Sequence, residues 1–238
     1  MAIAAEIRSR IARGELVDGQ LLPVESSLTA EFGCSKPVVR EALRILETEG
    51  LIEVKRGLGG GPRVRHPSIS DAAKSMGVYL QVGDVAVLDV WTARDRIIAA
   101  AVERLPGVDV TPLAEKVEAL AASVGDLEAF NVHMLDVGEV AVQLAGNATE
   151  HALVAALRHI VEAQVTTATS TVTDPVGMEL ARLAEATIAA AWQDVLAHIE
   201  AGHPHAARQS YEDQAEALRG TIAGQMTDLT VGEASSPG

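Results

Sequence analysis

Ser35, Lys36, Arg40, Arg44, Arg56 and Gly57 have types and a spacing suited to gripping a polyanion. They lie in or beside a cluster of seven cations, Lys36, Arg40, Arg44, Lys55, Arg56, Arg63 and Arg65, within 30 residues. An arginine fork fits guanine O6 and N7 or a phosphate, Lys36 supplies a mobile point charge, and Ser35 a hydroxyl. Gly57, without a side chain, lets backbone come close to a ligand. Charge is divided along the chain: residues 1–68 hold ten Lys+Arg against nine Asp+Glu, residues 69–238 nine against 24, and the net is −14. A near-neutral head with a local basic face on an otherwise acidic chain favours specific DNA contact over indiscriminate coating.

The elements that must position these residues are legible from periodicity. Ile3, Ile7 and Ile11 predict a helix over Ala2 to Arg13, ended by Gly14, and Val17-Asp18-Gly19 reads as a turn. A second helix is expected from Val24 to Phe32, with Glu25 in the first turn where the helix dipole favours an acid. Gly33 stops it. Ser35 reads as the N-cap of a third helix, Pro37 falls in its first turn, and Val38, Val39, Ala42, Leu43 and Leu46 form its inward face. Lys36, Arg40 and Arg44 then point outward. Leu51 to Val54 reads as a strand, Gly57 to Pro62 as a loop, and Arg63 to Arg65 as the returning strand of a hairpin wing. Three helices and a wing make a winged helix-turn-helix, whose third helix enters the major groove N-terminus first. The glycines Gly59 to Gly61 would let the wing tip approach DNA closely.

These motifs resemble the GntR family of bacterial transcription regulators. The likeness rests on Leu22-Pro23-Val24-Glu25, Gly33-Cys34-Ser35, Val39-Arg40-Glu41-Ala42-Leu43 and Glu49-Gly50-Leu51, about a quarter of the chain. The resemblance implies DNA-binding roles for Ser35, Lys36, Arg40, Arg56 and Gly57. Ser26 stands where many relatives carry a DNA-contacting Arg, and Pro37 and Val38 replace small hydroxyl residues, so a different operator sequence is expected.

Beyond a linker near His66 to Ile69 the pattern is helical. Val87, Trp91, Ile98 and Leu105 mark a helix over Asp84 to Leu105, and residues 112–123 a shorter one. Leu127, Phe130, Met134, Val137, Ala141 and Leu144 share a face of Asp126 to Ala145. Leu153, Leu157 and Ile160 mark a helix from Ala148 to Thr169. Asp174-Pro175 opens another, with Leu180, Leu183, Ile188, Trp192, Val195 and Ile199 inward. The last begins at Pro204 and presents Tyr211, Leu218 and Ile222. The expected fold class is mainly α: an N-terminal winged helix-turn-helix (1–66), a linker or connecting helix (67–83), a C-terminal all-helical effector-binding bundle (84–226), and a disordered tail (227–238).

The bundle is similar to the effector-binding domain of the FadR subgroup, through Phe130, Ala145-Gly146-Asn147, Ile199-Glu200-Ala201-Gly202 and Ala206-Ala207-Arg208. Many relatives hold a metal there with one Asp and three His. Aligned without gaps, the Asp falls on Met134 and its His on Gly138, while the other two His fall on Trp192 and Gln214. All four ligands are replaced, and neither metal nor other cofactor is expected. The family Arg that often grips an acidic effector falls on Trp91, with Asp95 nearby. The resemblance therefore places effector contacts at Trp91, Asp95, Met134, Gly138, Trp192 and Gln214. These residues predict a roomier apolar cavity and an effector with a large apolar part, such as a fatty acyl chain or its coenzyme A ester. The competing reading is that Trp and Met simply fill a collapsed core.

Other reactive side chains carry weaker signals. Asp194 and His198 are four apart and could share a helix face with a metal, as could His151 and His159, whereas His133, His203 and His205 read as helix-end or loop residues. Cys34 reads as a small buried hydrophobe, and one cysteine excludes an internal disulfide or a cysteine-based zinc finger. The Thr-rich run from Thr166 to Thr173 either lines a pocket or ends a helix. No nucleophile elbow, phosphate loop or dinucleotide fingerprint occurs, so an enzyme is not expected. No apolar run or secretion signal points to a membrane, and the cytoplasm is the expected compartment. The reading that unites these features is a homodimer on a pseudo-palindromic operator, its DNA affinity changed by a small-molecule effector. A metal-dependent helical enzyme fused to a DNA-binding head and a ligand-independent architectural DNA-binding protein stay open beside it.

Overall fold

A computed structural model describes residues 2–57, 60–66, 68–170, 175–226 and Val231. The chain divides into two compact units after Ala72. The first contains α1 (Ala2–Ala12), α2 (Glu25–Phe32), α3 (Lys36–Thr48), β1 (Ile52–Lys55) and β2 (Gly61–Val64). Its core gathers Ile3, Ile7 and Ile11 of α1, Leu22, Leu28 of α2, Val39, Ala42, Leu43 and Leu46 of α3, and Ile52 and Val64 of the hairpin. Leu46 is fully buried, a side chain of the kind that contributes about 1.5–3 kcal/mol through apolar burial. Gly33 ends α2 in the left-handed conformation (φ 60°, ψ 34°), a backbone state that glycine adopts at little cost.

The wing differs from its sequence outline. β1 and β2 pair antiparallel with Ile52 opposite Val64 and Lys55 opposite Gly61, so the returning strand begins two residues earlier than expected. The segment read as a turn also joins it. Gly19 donates its N–H to the Val64 carbonyl, Leu22 to Pro62, and Val64 to Gln20, and Leu21 bridges Arg63. Val38, expected inward, is 45% exposed, because its neighbour Val39 takes the core position on α3. Ser35 has the extended backbone of an N-cap but makes no side-chain capping bond.

The second unit is formed by α4 (Ile69–Val82), which begins just before the division, α5 (Val87–Val102), α6 (Thr111–Ala122), α7 (Leu127–Leu144), α8 (Ala148–Ser170), α9 (Pro175–Glu200) and α10 (Pro204–Met226). Helix α5 packs against α7, α8 and α10, while α6 packs on α7 and α9, and α9 on α10. The main core holds Ile98, Leu105, Leu113, Leu120, Phe130, Val137, Val154, Trp192, Val195, Ile199 and Tyr211. A second cluster joins Val87, Val90 and Trp91 of α5 to Leu135 of α7 and Leu157, Ile160 and Val161 of α8.

Helix α5 is shorter than expected: Asp84 sits at φ 51°, outside helical backbone, and Leu105 is buried beyond the last turn. Helix α7 is buried on two sides, through Leu135, Gly138 and Val142 as well as Phe130, Val137 and Ala141. Leu153, Leu180 and Leu183 were expected inward but are exposed, Leu180 at 62%. Helical spacing marks an apolar stripe; whether a neighbour covers it is a tertiary matter, and among the described residues Val154 takes the core position in α8. Of the tail expected to be disordered, Val231 is buried and donates its N–H to the Val85 carbonyl. Asp174, Thr171 to Thr173 and the other residues beyond Met226 lie outside the described residues. No helix among the described residues is long and apolar enough to cross a membrane.

Candidate nucleic-acid interface and bundle pocket

The exposed side of α3 presents Ser35 at its N-terminus, then Lys36, Arg40 and Arg44. Ser35 accepts from Val38 and Val39 through its carbonyl, and its hydroxyl makes no capping bond. Arg40 Nε donates to both carboxylate oxygens of Glu25 on α2, at 3.1 and 3.0 Å. Arg44 lies 3.6 Å from Glu41, and Lys55 2.8 Å from Glu53. Arg63 donates to the Gly19 carbonyl, and Arg65 pairs with Asp71 at 2.6 Å. Among the described residues Lys36 and Arg56 make no ion pair, so these two cations meet an incoming phosphate without first surrendering a carboxylate. The pairs are solvent-exposed, and such pairs are worth at most about 1 kcal/mol, so exchanging a carboxylate for a phosphate is inexpensive.

Two of the wing glycines also have a local steric reason. A Cβ on Gly60 would lie 2.3 Å from the Lys55 carbonyl oxygen and 2.9 Å from that of Gly57, so the tight wing turn itself excludes a side chain. Gly61 packs on Leu21, to which a Cβ would approach within 3.2 Å. Gly57, at φ 104°, follows the exposed Arg56, and Gly59 lies outside the described residues.

Within the second unit, Trp91, Asp95, Met134, Trp192 and Gln214 meet around one cavity of about 30 Å³, together with Leu88, Arg94, Tyr211, Ala215, Leu218 and Arg219. Gly138 stands behind it rather than in its lining: a Cβ there would come within 2.7 Å of Arg94 Nη2 and of Ile98 Cδ1. The cavity is small rather than roomy, and Arg94, Asp95 and Arg219 line it beside the apolar residues. Arg94 is 3% exposed and Asp95 8%. Asp95 accepts from the Tyr211 hydroxyl at 3.0 Å and from Arg219 Nη1 at 2.5 Å, while Arg94 Nη1 is 3.9 Å away. Burial pushes the Asp95 carboxyl above its ordinary value, against the opposing pull of Arg94, Tyr211 and Arg219. Burial likewise holds the Tyr211 phenol well above 10.0, which keeps it a donor. The Trp192 and Tyr211 rings pack at 5.2 Å, and the Arg94 guanidinium lies 5.7 Å from the Trp91 ring centre.

Arg94, Tyr211 and Arg219 were not among the expected site residues. Arg94 lies three residues past Trp91, on the same helical face, and that spacing was the available signal. The donors at Met134, Gly138, Trp192 and Gln214 do not fit a metal: they offer a thioether, no side chain, an indole and an amide, and a guanidinium touches the same space. Among the described residues no three His, Cys, Asp or Glu converge on one point. Asp194 and His198 share α9 as spaced, Asp194 exposed and His198 half-buried with its ring 6.3 Å from that of His203. His151 and His159 face different acids, Glu139 at 3.6 Å and Glu162 at 3.8 Å. His133 is corrected to the interior of α7, while His205 stands at a helix end as expected, in the first turn of α10, where it meets Glu103 at 2.8 Å. Cys34 is half-buried against the head core.

Comparison with known proteins follows this division. Residues 1–60 match the profile of bacterial regulatory proteins of the gntR family. Over 57 residues the chain is 51% identical to the mannosyl-D-glycerate transport/metabolism system repressor MngR of Escherichia coli (strain K12), covering 24% of each protein. It is 42% identical over 57 residues to the Exu regulon transcriptional regulator of the same strain, covering 24% of this chain and 22% of that one. The chain thus spans about a quarter of the length of these relatives. The solved structure of Streptococcus agalactiae GntR superposes with a TM-score of 0.59 at 16% identity, covering 92% of this chain and 98% of that one. At that identity the likeness concerns the fold: a winged head followed by a helical domain.

Proposed function

From the match of residues 1–60 to the gntR-family profile, and from the transcription regulators similar to that segment, we propose a ligand-responsive regulator of the GntR type that binds operator DNA as a homodimer. The observation that carries the reading is the exposed N-terminal face of α3, with Ser35, Lys36, Arg40 and Arg44, beside a wing bearing Arg56 and Gly57. Residues 1–66 read DNA, 67–83 connect, and 84–226 form an effector domain of the FadR-subgroup type. Two recognition helices reach successive major grooves about 34 Å apart when a symmetric dimer meets a pseudo-palindromic site. The effector enters the pocket beside Trp91, Asp95, Met134, Trp192 and Gln214, and changes DNA affinity by as much as it prefers one arrangement of the dimer.

Selection of bound fragments from genomic DNA identifies the operator. On that operator Arg40→Ala, at an exposed position, is expected to leave the circular dichroism spectrum unchanged and to weaken binding at least about tenfold, the value of a lost bidentate base contact. Full-strength, sequence-specific footprinting by the variant would remove α3 from its assigned role.

A further inference from the structure

Val231, five positions past the end of α10, returns to the bundle. Its side chain is 3% exposed and joins the apolar cluster built on Val87, Val90 and Trp91 of α5 and Ile160 of α8, against which Met76 and Leu80 of α4 also pack. Its N–H donates to the Val85 carbonyl at 3.1 Å, and Val85 stands in the joint between α4 and α5. That joint has little else to hold it. Asp84 is, among the described residues, the one non-glycine in left-handed backbone, at φ 51°, a state that persists only where its surroundings impose it. Ala86, the N-cap of α5, makes no side-chain capping bond. Helix α4 is itself weakly gripped: Ala73 is its only buried residue, Met76, Gly77 and Leu80 are half-buried, and Val78, Tyr79 and Val82 face outward, Val82 at 82%. A helix of 14 residues is marginal without packing, so what fixes its C-terminal end matters.

We propose, on the reading in which residues 67–83 connect a DNA-binding head to an effector domain, that the C-terminal segment 227–238 is a strap whose Val231 clamps the α4–α5 joint and limits the motion of the connecting helix. The reach is sufficient: the five residues from Met226 to Val231 span up to about 18 Å. A buried valine and one backbone hydrogen bond shift a local opening equilibrium at least about tenfold. The strap also continues from α10, whose Leu218 and Arg219 line the bundle cavity, so cavity wall and connecting helix are joined by a second covalent route besides α5. A clamped joint presents the head in fewer orientations, and preorganisation of that kind favours binding. Release of the strap therefore loosens α4 and lowers operator affinity.

Amide hydrogen exchange, read peptide by peptide, compares the full chain with Val231→Asp, with Val231→Ala and with a chain ending at Met226. Peptides within residues 69–90 should exchange at least about tenfold faster in Val231→Asp and in the shortened chain, with Val231→Ala in between, while peptides from α6 keep their rates. Operator affinity of the same samples should fall about tenfold in the first two. Should either of those unfold, Val231→Ala, the mildest change, still gives the localised reading. Unchanged exchange over 69–90 in the shortened chain would overturn the proposal. So would acceleration spread equally through α6 and α10, which would make Val231 an ordinary core residue of the whole bundle. A loosened joint with operator affinity intact would overturn the coupling to the head and with it the strap. A full chain that retains no duplex at all rejects the regulator reading instead, while localised exchange still upholds the clamp.

Discussion

Glu25 and Arg40 join α2 to α3 through an exposed pair, which on the proposed reading shapes what DNA meets first. Glu25 holds Arg40 in one orientation and also places a negative charge beside the reading face. Glu25→Gln should therefore cost less than about 1 kcal/mol of stability, as expected for an exposed pair. It should raise affinity for non-specific duplex, since one carboxylate fewer faces the phosphates, and narrow the ratio of operator to non-specific binding. Competition binding at two salt concentrations measures both; an unchanged ratio would mean that Glu25 does not orient Arg40. In the bundle the corresponding single-residue lesson is Arg94. The sequence count pointed to Trp91 as the residue that had lost an arginine, yet an arginine three positions on reaches the same cavity from the same helix face. Counting along an alignment finds a replaced residue but not a neighbour that supplies its charge.

Helices α6, α7 and α8 are tied at one point by Asp136. Its carboxylate accepts from Lys116 Nζ at 2.7 Å and pairs with Arg158 at 2.6 Å, while Arg158 also meets Glu139 at 2.9 Å. Burial pushes the Asp136 carboxyl up, but the hydrogen bonds from Lys116 and Arg158 outweigh it and hold it below its ordinary 3.8. A depressed folded value means that the stabilisation is complete above the unfolded value and is lost as pH falls through the folded one. Asp136→Asn should cost about 1.5–3 kcal/mol at neutral pH, and the gap in urea midpoint should begin to close as pH falls past 3.8 and vanish only below the lower, folded value. Parallel midpoints across that range would show that the carboxylate is not the joint. Element positions were legible to within a few residues because capping, glycine stops and 3.6-residue spacing are local properties of the chain. The inward faces were less legible. Val38 and Val39 are adjacent valines, and only packing against α1 and β1 decides which of them is buried.

At the scale of the molecule, charge and assembly act together. The chain has a net charge of −14, and the basic residues of its first 68 are balanced almost one for one by acids. On the proposed reading, DNA binding relies on a local face presented twice rather than on bulk attraction. Sedimentation at micromolar concentration should give a mass twice 24.9 kDa, and operator affinity should fall linearly on a logarithmic salt scale with a slope of about −0.9 per phosphate neutralised. A monomer that binds operator as tightly as any higher species would remove the need for two-fold symmetry. The order of the elements, the reading helix with its outward cations and the helical character of the remainder were determined by residue types alone, because each rests on interactions between residues a few positions apart. The tertiary structure decided which apolar stripes are covered, how Leu21 and Gly60 build the wing, and what stands in the bundle cavity. Those outcomes depend on groups far apart in the chain, Asp95 with Tyr211 and Arg219, or Arg94 with Gly138, whose meeting is settled by helix packing and by the cost of burying charge.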